Sequence, residues 1–136
     1  AGGLHRFHAV IQVKKTSRQH NGLQRNAMLA AFGALKDLDL VIVVDDDIDI
    51  RDVHDVEYAV ATRMEASSDL VIIPGARGHE YVRVSKEGIR TKLGIDATVP
   101  FEDQAKFRRV EFAPTDVTES AFNADPATVL KVLNLS

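Results

Sequence analysis

The sequence predicts a small three-layer α/β domain: a β-α-β-α-β unit with a mostly parallel sheet and a C-terminal helical extension. Three observations lead there. β-branched runs alternate with segments of helical periodicity through the first half of the chain. One of those runs, Leu38 to Val44, has almost no polar face, as a strand covered on both sides requires. Finally, 136 residues, 45% of them hydrophobic, suffice for a single core without disulfides, and the chain has no cysteine to form any.

Phe7 to Val13 reads as the first strand, ending in Lys14-Lys15. From about Asn21 to Lys36, the residues Leu23, Ala27, Met28, Ala31, Phe32 and Leu35 recur at three-and-four spacing, so a helix with one buried stripe is expected. Leu38 to Val44 is the second strand. After Asp45-Asp46-Asp47 a helix begins near Asp52, a suitable N-cap with Asp55 in a capping-box position, and carries Val53, Val56, Val60 and Met64 on one face. Asp69 to Ile73 is a third strand, ended by Pro74-Gly75, and right-handed crossovers are expected throughout. Beyond it the pattern weakens. Glu80 to Thr98 holds one or two extended pieces, and Glu102 to Val110 reads as strand or helix. Residues 4–112 form the α/β domain. Residues 113–136 are a polar linker and a helix after Pro126, whose Val129, Leu130, Val132 and Leu133 dock on this domain or a neighbouring subunit.

Composition excludes several classes. Without cysteine there is no thiolate zinc site and no cysteine nucleophile. A net charge of −3 gives no basic face for nucleic acid. No apolar run reaches the roughly 18–20 residues of a membrane span, so a cytoplasmic protein is expected. The start at Ala1-Gly2-Gly3 fits a piece cut from a longer chain.

Ligands of open α/β sheets bind beyond the carboxyl ends of the strands, which singles out three segments. Lys14, Lys15, Ser17, Arg18 and His20 form the densest basic patch, suited to a phosphate or else a solvated strand end. The run Asp45-Asp46-Asp47-Ile48-Asp49 either caps the following helix and pairs with basic groups, or binds a divalent metal. Pro74 to His79 is a Gly-rich basic turn that could cradle an anion through Arg77, or be a plain turn. No histidine pair has the H-x-x-x-H spacing of a zinc site.

The order of four motifs then points to a family. Val10-Ile11-Gln12-Val13-Lys14-Lys15, Val41 to Asp49, Asp55 to Arg63, and Thr91-Lys92-Leu93-Gly94-Ile95-Asp96-Ala97-Thr98 together resemble the C-terminal part of UbiD-type carboxy-lyases, over about Leu4 to Phe112. The resemblance implies a reversible, non-oxidative decarboxylase of aromatic or α,β-unsaturated acids that uses prenylated FMN. It places the flavin site, its divalent metal with potassium as a further candidate, and the catalytic set in a larger N-terminal region, so no catalytic residue and no metal ligand is expected here. This segment would be the assembly and active-site-closing domain, silent and without cofactor by itself. Lys14 and Lys15 are the implied cofactor contacts, with Lys14 on the phosphate. Ser17, His20, Arg77 and His79 are the substrate-pocket candidates, although the family's Y-P-G-H after the lysine pair is replaced by Thr16-Ser17-Arg18-Gln19-His20. Lys92 and Asp96 read as structural. The implied partners are the flavin domain of the same chain, further copies in a homo-oligomer, and a UbiX-type flavin prenyltransferase as cofactor supplier. The alternative is a free-standing regulatory or metal-binding module built on Asp45 to Asp49.

Overall fold

The computed structural model describes residues 7–107. Four strands form one sheet in the order β1-β2-β4-β3: β1 (His8–Val13), β2 (Leu40–Asp45), β3 (Leu70–Arg77) and β4 (Ile89–Ala97). β1, β2 and β4 are mutually parallel, whereas β3 pairs antiparallel with β4. The sheet is thus mostly parallel, as expected, but the third strand reverses. The chain leaves β2, runs through α2 (Val53–Arg63) and the short α3 (Ala66–Asp69), and lays β3 at the edge. It then turns back so that β4 takes the central position beside β2. The handedness rule for parallel crossovers therefore does not govern the β2-to-β3 connection. Nor do Pro74 and Gly75 end β3. They sit at a register shift between Ile73 and Ala76, after which pairing resumes to Arg77↔Ile89. An edge strand accommodates such a break because its outer side carries no ladder.

Helices cover both faces of the central strand, which explains its lack of a polar face. On one side α1 (Leu23–Ala34) sets Met28 against Val41, Val43 and Leu38. On the other, α2 sets Val56 and Ala59 against Val44, Ile48 and Ala97. Alternation along β2 assigns successive valines to opposite layers. The helical stripes are narrower than expected: Leu23, Leu35 and Val53 are about half exposed, and Ala59, absent from the expected stripe, is fully buried. Asp52 does cap α2, its carboxylate accepting from the His54 N–H at 3.0 Å, while Asp55 accepts from the Asp49 N–H at 2.6 Å. Glu80 to Thr98 contributes the long β4, and the segment after it is a 3₁₀ helix, Phe101–Phe107. The linker and helix expected over 113–136 lie outside the described residues.

Candidate functional site

Because β1, β2 and β4 run parallel, their carboxyl ends share one edge, and the segments leaving them are bound together there. Lys15 follows β1. It is 5% exposed, and its ammonium donates to Thr98 Oγ1 at 3.0 Å and to the Val99 carbonyl at 2.9 Å. Asp96, near the end of β4, accepts from the Thr98 hydroxyl at 2.6 Å and the Thr98 N–H at 3.1 Å. Its second oxygen accepts from Gln24 at 3.0 Å, and Gln24 in turn accepts from the Gly22 N–H at the start of α1. Asp45, the last residue of β2, accepts from the Val99 N–H at 3.1 Å and from Arg63 Nη1 at 2.9 Å. Arg63, the last residue of α2, also holds both carboxylate oxygens of Asp47 at 2.7 Å and reaches the Phe107 carbonyl.

The acidic run therefore caps and pairs, one of the two roles its sequence left open. Asp52 caps the helix, and the basic group facing Asp45 and Asp47 is Arg63 of the same domain. Burial pushes the Asp45 carboxyl above its ordinary value, because the lost solvation outweighs the Val99 N–H and the Arg63 charge that pull it down. The bidentate Asp47 contact raises Arg63, so the guanidinium stays charged. Among the described residues no group of three or more potential ligands is placed to hold a metal ion.

The loop after β1 is a 3₁₀ turn, Arg18–His20, with Ser17 at its start. His20 Nδ1 accepts the Thr16 N–H at 3.0 Å, and Ser17 is half-buried. Asn21 clasps this turn to the second 3₁₀ helix, donating to Glu102 at 2.9 Å and accepting from the Phe101 N–H at 3.0 Å. The Asn21 amide holds the exposed Glu102 carboxyl below its ordinary value. Two clefts of about 450 and 460 Å³ flank the Arg63 and Phe107 contact. One is rimmed by Asp45, Asp46 and Asp47, the other by Lys15, Arg25, Asp96 and Glu102.

Of the residues expected at the site, the structure brings Lys14, Lys15, Ser17 and His20 to this edge and does not bring Arg77 and His79. The reversal of β3 carries that turn to the opposite end of the sheet, where the His79 ring lies edge-on to Phe7 at 5.7 Å and beside Tyr81 at 5.3 Å. Arg77 there donates to the Glu87 carbonyl at 2.7 Å. Lys92, expected to be structural, is 2% exposed and donates to Asp39 at 3.1 Å and to the Lys36 carbonyl at 2.7 Å. Gln24 and Arg63 were not foreseen. Their helical positions are visible in the sequence, but nothing local shows which carboxylate each faces.

A phosphate can be tested against this edge. The Lys15 ammonium is buried and bonded to neutral acceptors of its own chain, so it is not presented to a ligand. Lys14, its neighbour, is exposed and fits an anionic group. The cleft beside Asp45 to Asp47 is acidic, a poor environment for a second anionic contact.

Fold and edge together define an α/β domain whose strand ends form a rigid, charged rim with one outward lysine, a docking and binding surface more than a self-sufficient centre of turnover. The family model of the 3-octaprenyl-4-hydroxybenzoate carboxy-lyase C-terminal domain matches residues 1–97, and the chain belongs to that family. It is 42% identical over 110 residues to an anhydromevalonate phosphate decarboxylase of Methanothermobacter thermautotrophicus, covering 80% of this chain and 25% of that protein. To a gallate decarboxylase of Lactiplantibacillus plantarum it is 37% identical over 113 residues, covering 76% and 23%. Among solved structures it is similar to the UbiD-class enzyme HmfF of Pelotomaculum thermopropionicum in complex with FMN, at 39% identity and a TM-score of 0.74 over 82% of this chain and 24% of that one. An evolved dimeric form of HmfF in complex with prFMN aligns at 36% identity and a TM-score of 0.58, over 79% and 20%. The chain thus spans about a quarter of the length of the relatives it matches.

Proposed function

We propose that this chain is the C-terminal assembly and active-site-closing domain of a reversible, non-oxidative decarboxylase of aromatic or α,β-unsaturated acids. Two named relatives support the reaction class, since both names describe loss of a carboxyl group. The FMN and prFMN complexes of HmfF support a prenylated flavin, which when bound supplies the electron sink for release of carbon dioxide. A divalent metal and potassium, together with the catalytic set, belong in this reading to the larger N-terminal region. The flavin domain of the same chain and further copies of it are the partners, a UbiX-type prenyltransferase supplies the cofactor, and the cytoplasm is the compartment. No described helix is long and apolar enough to cross a membrane.

The observation that carries this reading is the rim. Lys14 stands exposed at the exit of β1, while the neighbouring charges of Lys15, Asp45, Asp96 and Arg63 are consumed in joining the strand ends. In this role Lys14 binds the cofactor phosphate from one flank. Ser17 and His20, carried on the following turn, face the substrate side, and the rim excludes water when the domains close. Arg77 and His79, at the far end of the sheet, serve the partner-facing surface in this reading.

Two measurements test the proposal. The chain by itself shows no decarboxylation and no tight flavin binding, because the charges it could turn on a flavin are neutralised internally. In the intact enzyme Lys14→Ala weakens cofactor retention, read as the flavin absorbance that survives gel filtration. Unchanged flavin occupancy in that variant overturns the phosphate role.

A further inference from the structure

We propose that Lys15 is a positioning residue for the Lys14 contact, acting through the Thr98-Val99 turn. The inference rests on the assignment of Lys14 to the cofactor phosphate. Adjacent residues of an extended chain point to opposite sides, and here one ammonium faces out while the next is buried. β1 is an edge strand whose pairing with β2 ends at Val13↔Asp45, so no ladder bond of the sheet holds residues 14 and 15. The Lys15 ammonium supplies the missing tether. It spans 83 and 84 positions in sequence to reach Thr98 Oγ1 and the Val99 carbonyl.

That anchor point is itself fixed from two other strands. Asp96 of β4 holds the Thr98 hydroxyl and N–H, and Asp45 of β2 holds the Val99 N–H. Gln24 extends the chain of bonds to the first turn of α1. Two residues of backbone therefore collect the ends of all three parallel strands, and the exit of β1 is set by them. Presenting Lys14 from a fixed backbone removes most of the ordering cost of a phosphate contact, which a freely moving strand end would incur at each binding event. A buried ammonium among neutral acceptors is a costly choice for packing alone, since an apolar side chain of similar length would avoid its desolvation. Its use here is directional: it fixes where the chain turns.

The test uses the full-length protein carrying this domain, loaded with FMN, and follows FMN release by fluorescence over a series of potassium chloride concentrations. Lys14→Ala should release FMN about tenfold faster, as expected for loss of a charge-assisted contact, with a shallower salt dependence. Lys15→Met and Thr98→Val should reproduce both changes, with release roughly three- to tenfold faster than in the parent. Thr98→Ser keeps the hydroxyl and should behave like the parent. The salt dependence is the readout that a general loss of stability does not move, because it reports the phosphate charge contact alone. If Lys15→Met fails to fold, the Thr98→Val and Thr98→Ser pair decides. Folded Lys15→Met or Thr98→Val releasing FMN at the parental rate and slope, while Lys14→Ala does not, overturns the positioning role only. Parental behaviour in Lys14→Ala overturns the phosphate assignment and the positioning role with it.

Discussion

Gly94, within the Thr91 to Thr98 motif, lies on β4 directly beneath Met28 of α1, a side chain with no exposed surface. A Cβ at this position would collide with Met28 Sδ and stand 2.8 Å from its Cε, so the missing side chain is what lets helix and sheet approach. Met28 can relax only into neighbours that are already close-packed. Gly94→Ala should therefore cost about 1–3 kcal/mol, seen as a lower urea midpoint with an unchanged slope. Adding Met28→Val to make room should recover part of that loss. Recovery is the informative result, because it separates a steric cause from any backbone effect of alanine in a strand. At the same scale, Arg63 shows why the candidate site was only partly readable. The acidic run and its capping role were plain in the sequence. The counter-charge was not, since it sits 16 and 18 positions away at the far end of the next helix.

Elements differ in how much of their structure is written locally. The start of α2 depends on Asp52 and the residues just after it, and the expected cap is present with an N–H donated to it at 3.0 Å. Asp52→Ala removes that acceptor and should destabilise the domain by about 1 kcal/mol, whereas Asp52→Asn, which can still accept, should cost much less. Thermal unfolding of the two variants side by side checks the cap. The direction of β3 has no such local signal. An apolar run after a helix and before Pro-Gly reads equally well as a central parallel strand or as an antiparallel edge, and the outcome was decided by β4, whose pattern was weak. The edge position is visible in Ile72, which is 62% exposed where a central strand would bury it. That reversal also moved Arg77 and His79 away from Lys14. Errors of strand direction thus become errors of site composition, because direction decides which loops share an edge.

For the whole molecule, the stability of the fold against pH contains two opposed carboxyl contributions. Glu102 is held below its ordinary value, so it contributes stability above the unfolded value of 4.5 that is lost as pH falls through its folded value. Asp45 runs the other way. Its folded value lies above 3.8, so the folded chain binds the Asp45 proton more tightly than the unfolded chain does, and stability falls as pH rises from 3.8 through the folded value. Arg63 beside it stays charged throughout the working range, its own value having moved further upward. The ion pair is therefore not a net gain from ionisation of Asp45: Arg63 and the Val99 N–H offset only part of the burial cost. Asp45→Asn keeps one oxygen acceptor for these donors and removes the titration. The difference in unfolding free energy, parent minus variant, should accordingly be largest near pH 3 and shrink toward pH 7, measured by urea denaturation at each pH. A difference that grows with pH would mean that Arg63 and Val99 outweigh burial and that the charged pair holds the carboxyl end of the sheet together.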